Sequence, residues 1–235
     1  MGITLLEVFL FIHVVLFVYW LGADLGVYYT SRFVVDRKLS TETRAITGKI
    51  MEFVDLSPRI CLVLFLPSGI SLISLYEKSP TFVLDNKYLI IIGSWLAGLA
   101  WLYLVIRNYH SHGDPKAALI KRTDLTIRYL IVGSIFAGGI YTLLVDEPFG
   151  VTTNPKWLAI KVMFYATAIA GGVGIRRALV PFGPAFGKVL AGTQTEADND
   201  ALSLSLKNAL PWVHLIWFCV LAAAFLGIAK PGASI

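Results

Sequence analysis

Residues 11–26 read FIHVVLFVYWLGADLG, an apolar run interrupted by one imidazole, His13, and one carboxylate, Asp24. In water this could be an ordinary core helix. In lipid the two ionisable side chains would be costly, and such groups face the bundle interior with a partner or a task. The solvent therefore has to be settled first. Six apolar runs, near 3–24, 56–75, 88–106, 125–145, 157–175 and 209–229, each approach the roughly 20 residues that cross a hydrocarbon core. With 57% hydrophobic and 15% charged residues, the chain is far more apolar than a soluble domain. This pattern predicts an all-α fold, a polytopic membrane bundle of about six transmembrane helices forming one integral-membrane domain over 1–235. A β-barrel would need alternating strands instead.

The net charge of +5 is a topology signal rather than a nucleic-acid one. Arg32, Arg37, Lys38, Arg44 and Lys49 follow the first run, Arg107, Lys116, Lys121, Arg122 and Arg128 surround the third connection, and Arg176, Arg177, Lys188 and Lys207 flank the fifth. The second and fourth connections carry only Lys78, Lys87 and Lys156 beside Glu77, Asp85, Asp146 and Glu147. By the positive-inside rule the basic connections are expected in the cytoplasm and both termini outside, as in a bacterial inner membrane protein. Lipid headgroups are the expected partner, and no nucleic acid. The first run is long for a signal h-region and lacks a basic n-region, so it is expected to be a retained span. Cys61 and Cys219 fall inside spans and form no metal or redox motif.

An internal repeat runs at an offset of 69 residues. Asp55-Leu56-Ser57-Pro58-Arg59 opens the second span and Asp124-Leu125-Thr126-Ile127-Arg128 the fourth; Gly69 pairs with Gly138, Lys87 with Lys156 and Ile106-Arg107 with Ile175-Arg176. The polar boundary residues match as well as the apolar ones. We read a duplicated two-helix hairpin, spans 2–3 and 4–5, with both copies in one orientation. Each Arg follows its Asp by four residues, on one helical face. Two readings of Arg59 and Arg128 stand: an interfacial ion pair, or a cradle for an anionic cofactor tail such as a haem propionate. Lys161 has Ile92 as its repeat partner, so this charge is not inherited with the hairpin. It either snorkels from a helix end or serves a ligand.

On a helix, His13, Phe17, Trp20 and Asp24 share one face, which should point into the bundle. Gly22 and Gly26 form a GxxxG pair that would admit a neighbouring helix. His214 lies in the sixth span between Trp212 and Trp217. Counting about 1.5 Å per residue, His13 and His214 both fall towards mid-depth. They are expected either to tie helices together by hydrogen bonds or to meet at one metal, for which haem iron is the favoured candidate. Zinc would want a tighter ligand cluster. His110 and His112, in NYHSHGDPK, read as a solvated loop, with metal or propionate contact the alternative. The PFGPAFG stretch at 181–187 reads as a structural turn or a docking surface at the basic end.

His13, Trp20 and Gly22 make an H-x6-W-x-G pattern, GVYYTSRFVV follows at 26–35, and Trp157-Leu158-Ala159-Ile160-Lys161 forms W-L-x-x-K. Together these segments resemble the HemJ-type protoporphyrinogen oxidases and the related CopD-like small polytopic membrane proteins. The resemblance implies His13 as an axial haem ligand and Lys161 as a second functional residue. It also admits copper transport of the CopD kind, although the soft ligands copper(I) prefers are scarce.

The leading expectation is an integral-membrane b-type haem protein moving electrons to or from quinone or another membrane-soluble substrate. In it His13 and His214 hold iron, Trp20, Arg59 and Arg128 line the cofactor, Lys161 serves substrate or a propionate, and Asp24 carries protons. A proton- or metal-conducting transporter is the rival, for which Pro58, Pro67 and Pro211 permit broken helices. A membrane anchor for a peripheral redox subunit is the third reading, and a homo-oligomer is compatible with each.

Overall fold

The computed structural model describes residues 2–110, 115–153 and 155–232. Its helices are α1 (Leu5–Val35), α2 (Thr41–Ser74), α3 (Thr81–Asp85), α4 (Lys87–Tyr109), α5 (Ala117–Leu144), α6 (Lys156–Ala178), α7 (Phe182–Leu190) and α8 (Glu196–Ala229), with a 3-10 turn at Pro148–Gly150 before α6. Six of them, α1, α2, α4, α5, α6 and α8, are long and apolar enough to cross a membrane. No strand occurs among the described residues. The chain is a polytopic helical membrane protein.

The spanning helices form a ring in chain order. α2 packs between α1 and α4, and α6 packs between α5 and α8; lighter seams, α4 on α5 and α1 on α8, close the circle. Small residues set the close approaches. A Cβ on Gly98 would lie 2.9 Å from Pro67 Cγ, one on Gly139 2.7 Å from Met163 Cγ, and one on Gly174 2.3 Å from the Trp212 ring. Gly22 has nothing within 4 Å of such a Cβ, while Gly26 meets Val54 of α2 at 3.5 Å. The expected GxxxG contact is therefore carried by one glycine only. The central core gathers Trp20, Leu62, Val63, Trp101, Ile169, Ile216 and Cys219. α2 and α8 run unbroken through Pro58, Pro67 and Pro211, so the broken helices on which a transporter would draw are not present there.

Several helices outrun their apolar segments. At 34 residues each, α2 and α8 extend about 51 Å, well beyond a hydrocarbon core of roughly 30 Å. The segments at 25–35, 41–55 and 196–208, which carry Arg32, Arg44, Lys49 and Lys207, lie at one end, here termed the basic end. They persist as helix because they are capped and packed. Ser40 accepts from the Thr43 N–H, and Thr195 and Asp198 form a reciprocal capping box. Arg44 is buried and donates to the Val34 carbonyl at 2.8 Å. Arg37 bridges to Glu196 at 2.6 Å and to Asp200. The 181–187 stretch, expected as a turn or docking surface, instead enters α7, whose Ala185 and Val189 pack with Leu202. Phe186 fills the space above Gly48 of α2, and Lys188 pairs with Asp198 at 2.6 Å. Alternating apolar residues on a nine-residue helix are too few to separate from a turn by pattern alone.

Candidate functional site

Two clusters of ionisable side chains lie at different depths in the bundle. The first surrounds His13, half-buried on α1. Its Nδ1 lies 2.8 Å from Ser68 Oγ, and the same hydroxyl donates to the Phe65 carbonyl at 3.1 Å. A serine hydroxyl has one proton; spent on that carbonyl, it leaves the oxygen to accept from His13 Nδ1–H. In that tautomer Nε2 keeps a free lone pair, the arrangement that suits a metal-binding imidazole; with the hydroxyl proton given to Nδ1 instead, Nε2 carries the hydrogen. Phe65 tilts against the His13 ring at 4.3 Å between centroids, and Trp20 and Tyr165 meet Phe65 at 5.5 and 6.2 Å. Tyr165 is fixed by its hydroxyl, which donates to the Leu62 carbonyl at 2.7 Å. A Cβ on Gly69 would lie 3.6 Å from His13 Cε1, so α2 already stands in contact with the ring.

Lys161 belongs to this cluster. It stands in the second turn of α6, half-buried, close enough for its charge to act on His13. Its Nζ rests against α8 at Gly227, where a Cβ would come within 2.6 Å. The charge acting on Lys161 is another cation, Lys230. Lys230 caps α8 in the left-handed conformation at φ 41° and lies over Tyr76 and Trp157, 5.6 and 5.9 Å from their ring centroids. Among the described residues no carboxylate pairs with Lys161.

The second cluster lies nearer the basic end. Asp124 is fully buried and receives Trp101 Nε1–H at 2.8 Å, Arg128 Nε–H at 3.2 Å and Arg176 Nη1–H at 2.6 Å. Its repeat partner Asp55 pairs with Arg59, but both side chains are about one-third exposed. Asp24 neighbours Asp55 and the indoles of Trp20 and Trp217; Trp217 Nε1 itself makes no hydrogen bond of acceptable geometry. Asp24 lies eleven residues, about 16 Å of helix rise, from His13.

The expected face of α1 is present, with Trp20 buried and His13, Phe17 and Asp24 partly so. The expectation that His13 and His214 meet at one metal needs correcting. His214 is exposed on the bundle surface and its ring neighbours Tyr28 and Trp217. Tyr28 stands fifteen residues beyond His13 on α1, about 22 Å of rise, so the two imidazoles cannot share an ion. The error lay in depth, since α1 and α8 both run beyond the apolar stretches from which the midpoints were inferred. Arg59 and Arg128 turn towards Asp55 and Asp124, one helical turn nearer the basic end, away from His13. His110 is exposed, with Nδ1 3.0 Å from the Ile106 carbonyl; His112 lies outside the described residues. No group of three or more His, Cys, Asp or Glu side chains is arranged to hold a metal ion among the described residues. Cys61 and Cys219 are free and buried.

Sequence reasoning missed Ser68 and Phe65 as neighbours of His13, Tyr165 as the ring behind Phe65, and Lys230 as the neighbour of Lys161. Tyr165 carried a signal, since Trp157, Lys161 and Tyr165 recur every four residues on one face of α6. No family model matches the chain, and neither a curated protein nor a solved structure shows significant similarity to it.

Proposed function

We propose that this protein is a membrane oxidoreductase whose site is the His13–Lys161 cluster, holding a b-type haem through His13 Nε2. The observation that carries this reading is an ammonium group, Lys161, whose charge acts on the His13 imidazole, with a second lysine, Lys230, beside Lys161 and no carboxylate partner for Lys161 among the described residues. A cation path would be opposed by those charges. A ligand bearing carboxylates would be drawn to them. The residues fit a haem in three respects: the Ser68 contact orients the imidazole, Phe65, Trp20 and Tyr165 supply an apolar wall, and Lys161 can receive a propionate. When bound, the haem would supply one-electron exchange with a quinone or another bilayer-soluble substrate.

The chain's own residues have separable tasks. Ser68 holds the His13 tautomer, Tyr165 and Phe65 exclude water from the ring, and Lys161 orients the acidic group of the ligand. Asp24 stands between this cluster and the basic end, placed to pass protons inward. The basic end faces the cytoplasm of a bacterial inner membrane, with both termini outside, because the arginine- and lysine-rich connections gather there. In this scheme the resemblance to HemJ-type and CopD-like proteins reflects a shared first-helix histidine.

The reduced-minus-oxidised optical spectrum of the purified protein tests the reading. Soret and α bands at about one haem per chain are expected. Their absence after haem-supplemented expression would end it, and proton or metal flux in liposomes without a chromophore would favour the transporter.

A further inference from the structure

A cavity of about 410 Å³ opens on the bundle surface over α6, between α5 and α8, near the basic end. Its lining is graded along the helices. Arg128, Arg177 and Asn208 stand nearest the basic end, and Val132, Ala170, Val173 and Trp212 continue towards mid-membrane. The volume is that of an ordinary ligand pocket, and the gradient is that of an amphiphile.

Charge decides what kind. Arg128, Arg176 and Arg177 cluster here, while Asp124 is the carboxylate that pairs with Arg128 and Arg176. Arg177 donates to the Tyr129 hydroxyl at 2.8 Å and pairs with no carboxylate among the described residues. One negative charge thus faces three guanidiniums. The Arg128 side chain is only 3% exposed, yet its Nη2 has no hydrogen-bond partner. A buried guanidinium N–H without an acceptor is costly, and an arriving anionic oxygen would satisfy it. At the floor Gly174 lets the Trp212 ring pack flat against α6, and any side chain there would displace that ring.

We propose that this cavity binds an anionic phospholipid, its phosphate held by Arg128 and Arg177 with help from Asn208, and its first acyl carbons lying along Val132, Ala170 and Val173. Basic pockets between spanning helices recognise headgroups in this way, and planar guanidiniums suit phosphate oxygens. The site is separate from the His13 cluster and does not depend on the haem reading.

Native mass spectrometry of the detergent-solubilised full chain tests it, using dioctanoyl phosphatidylglycerol, dioctanoyl phosphatidylcholine and inorganic phosphate as probes. Phosphatidylglycerol should form a saturable one-to-one adduct at concentrations about tenfold below those needed for phosphatidylcholine. Arg177→Gln, an exposed position, should erase that preference. Ala170→Phe, which fills the apolar part, should weaken phosphatidylglycerol at unchanged thermal stability. Equal binding of the two lipids, or an unchanged preference in Arg177→Gln, would overturn the proposal. Inorganic phosphate binding as tightly as phosphatidylglycerol would overturn the lipid assignment and leave a plain anion site.

Discussion

The two ionisable clusters within the bundle differ in how their charge is answered. Around Asp124 every strong group but one has a partner: the carboxylate takes an indole N–H and two guanidinium N–H groups. Around Lys161 the neighbours are an imidazole and a second lysine. Buried ions are tolerated in apolar surroundings when geometry and hydrogen bonds offset desolvation. The Asp124 cluster meets that condition and ties α4, α5 and α6 together, closing the lighter seam of the ring. The Lys161 cluster does not meet it alone, which is the reason for assigning it a ligand. Charge answered within the protein builds architecture; charge left open leaves room for chemistry.

The contrast predicts a ranking of substitutions, readable from thermal unfolding with a thiol-reactive dye on the buried Cys61 and Cys219. Asp124→Ala should be the most damaging, at about 3–5 kcal/mol, because it strands two guanidiniums and an indole N–H; survival near wild-type stability would show that the hub is not structural. Trp101→Phe should cost about 1.5–3 kcal/mol, the value of a hydrogen bond to a charged acceptor. Asp55→Ala, in the partly exposed copy of the same motif, should cost no more than about 1 kcal/mol. Lys161→Met should leave stability within about 1 kcal/mol of wild type while removing function, since methionine fits an apolar helix face without an unpaired charge. If Lys161→Met unfolds the protein as Asp124→Ala does, the two clusters are alike and the distinction fails.

Helix number, order and alternation were legible because apolar runs of near-spanning length admit few other solutions. Asp-x3-Arg pairing was legible too, since four residues bring two side chains to one face. The different fates of the two copies were not. Asp55 and Asp124 look equivalent in sequence, and only the approach of Trp101 and Arg176 buries the second. The inner-face reading of His13 and Asp24 followed from helical periodicity, but the partners Ser68 and Phe65 come from another helix whose register no local pattern gives. The meeting of His13 with His214 failed because depth was counted from apolar ends, whereas α1 runs on to Val35 and α8 begins at Glu196.

The optical spectra of two single variants, read beside wild type, address the central assignment most directly. If haem is held at the His13–Lys161 cluster, His13→Ala should lose the α band and His214→Ala should keep it at full intensity with normal haem content. Retention of the band in His13→Ala, or its loss in His214→Ala alone, would contradict the account.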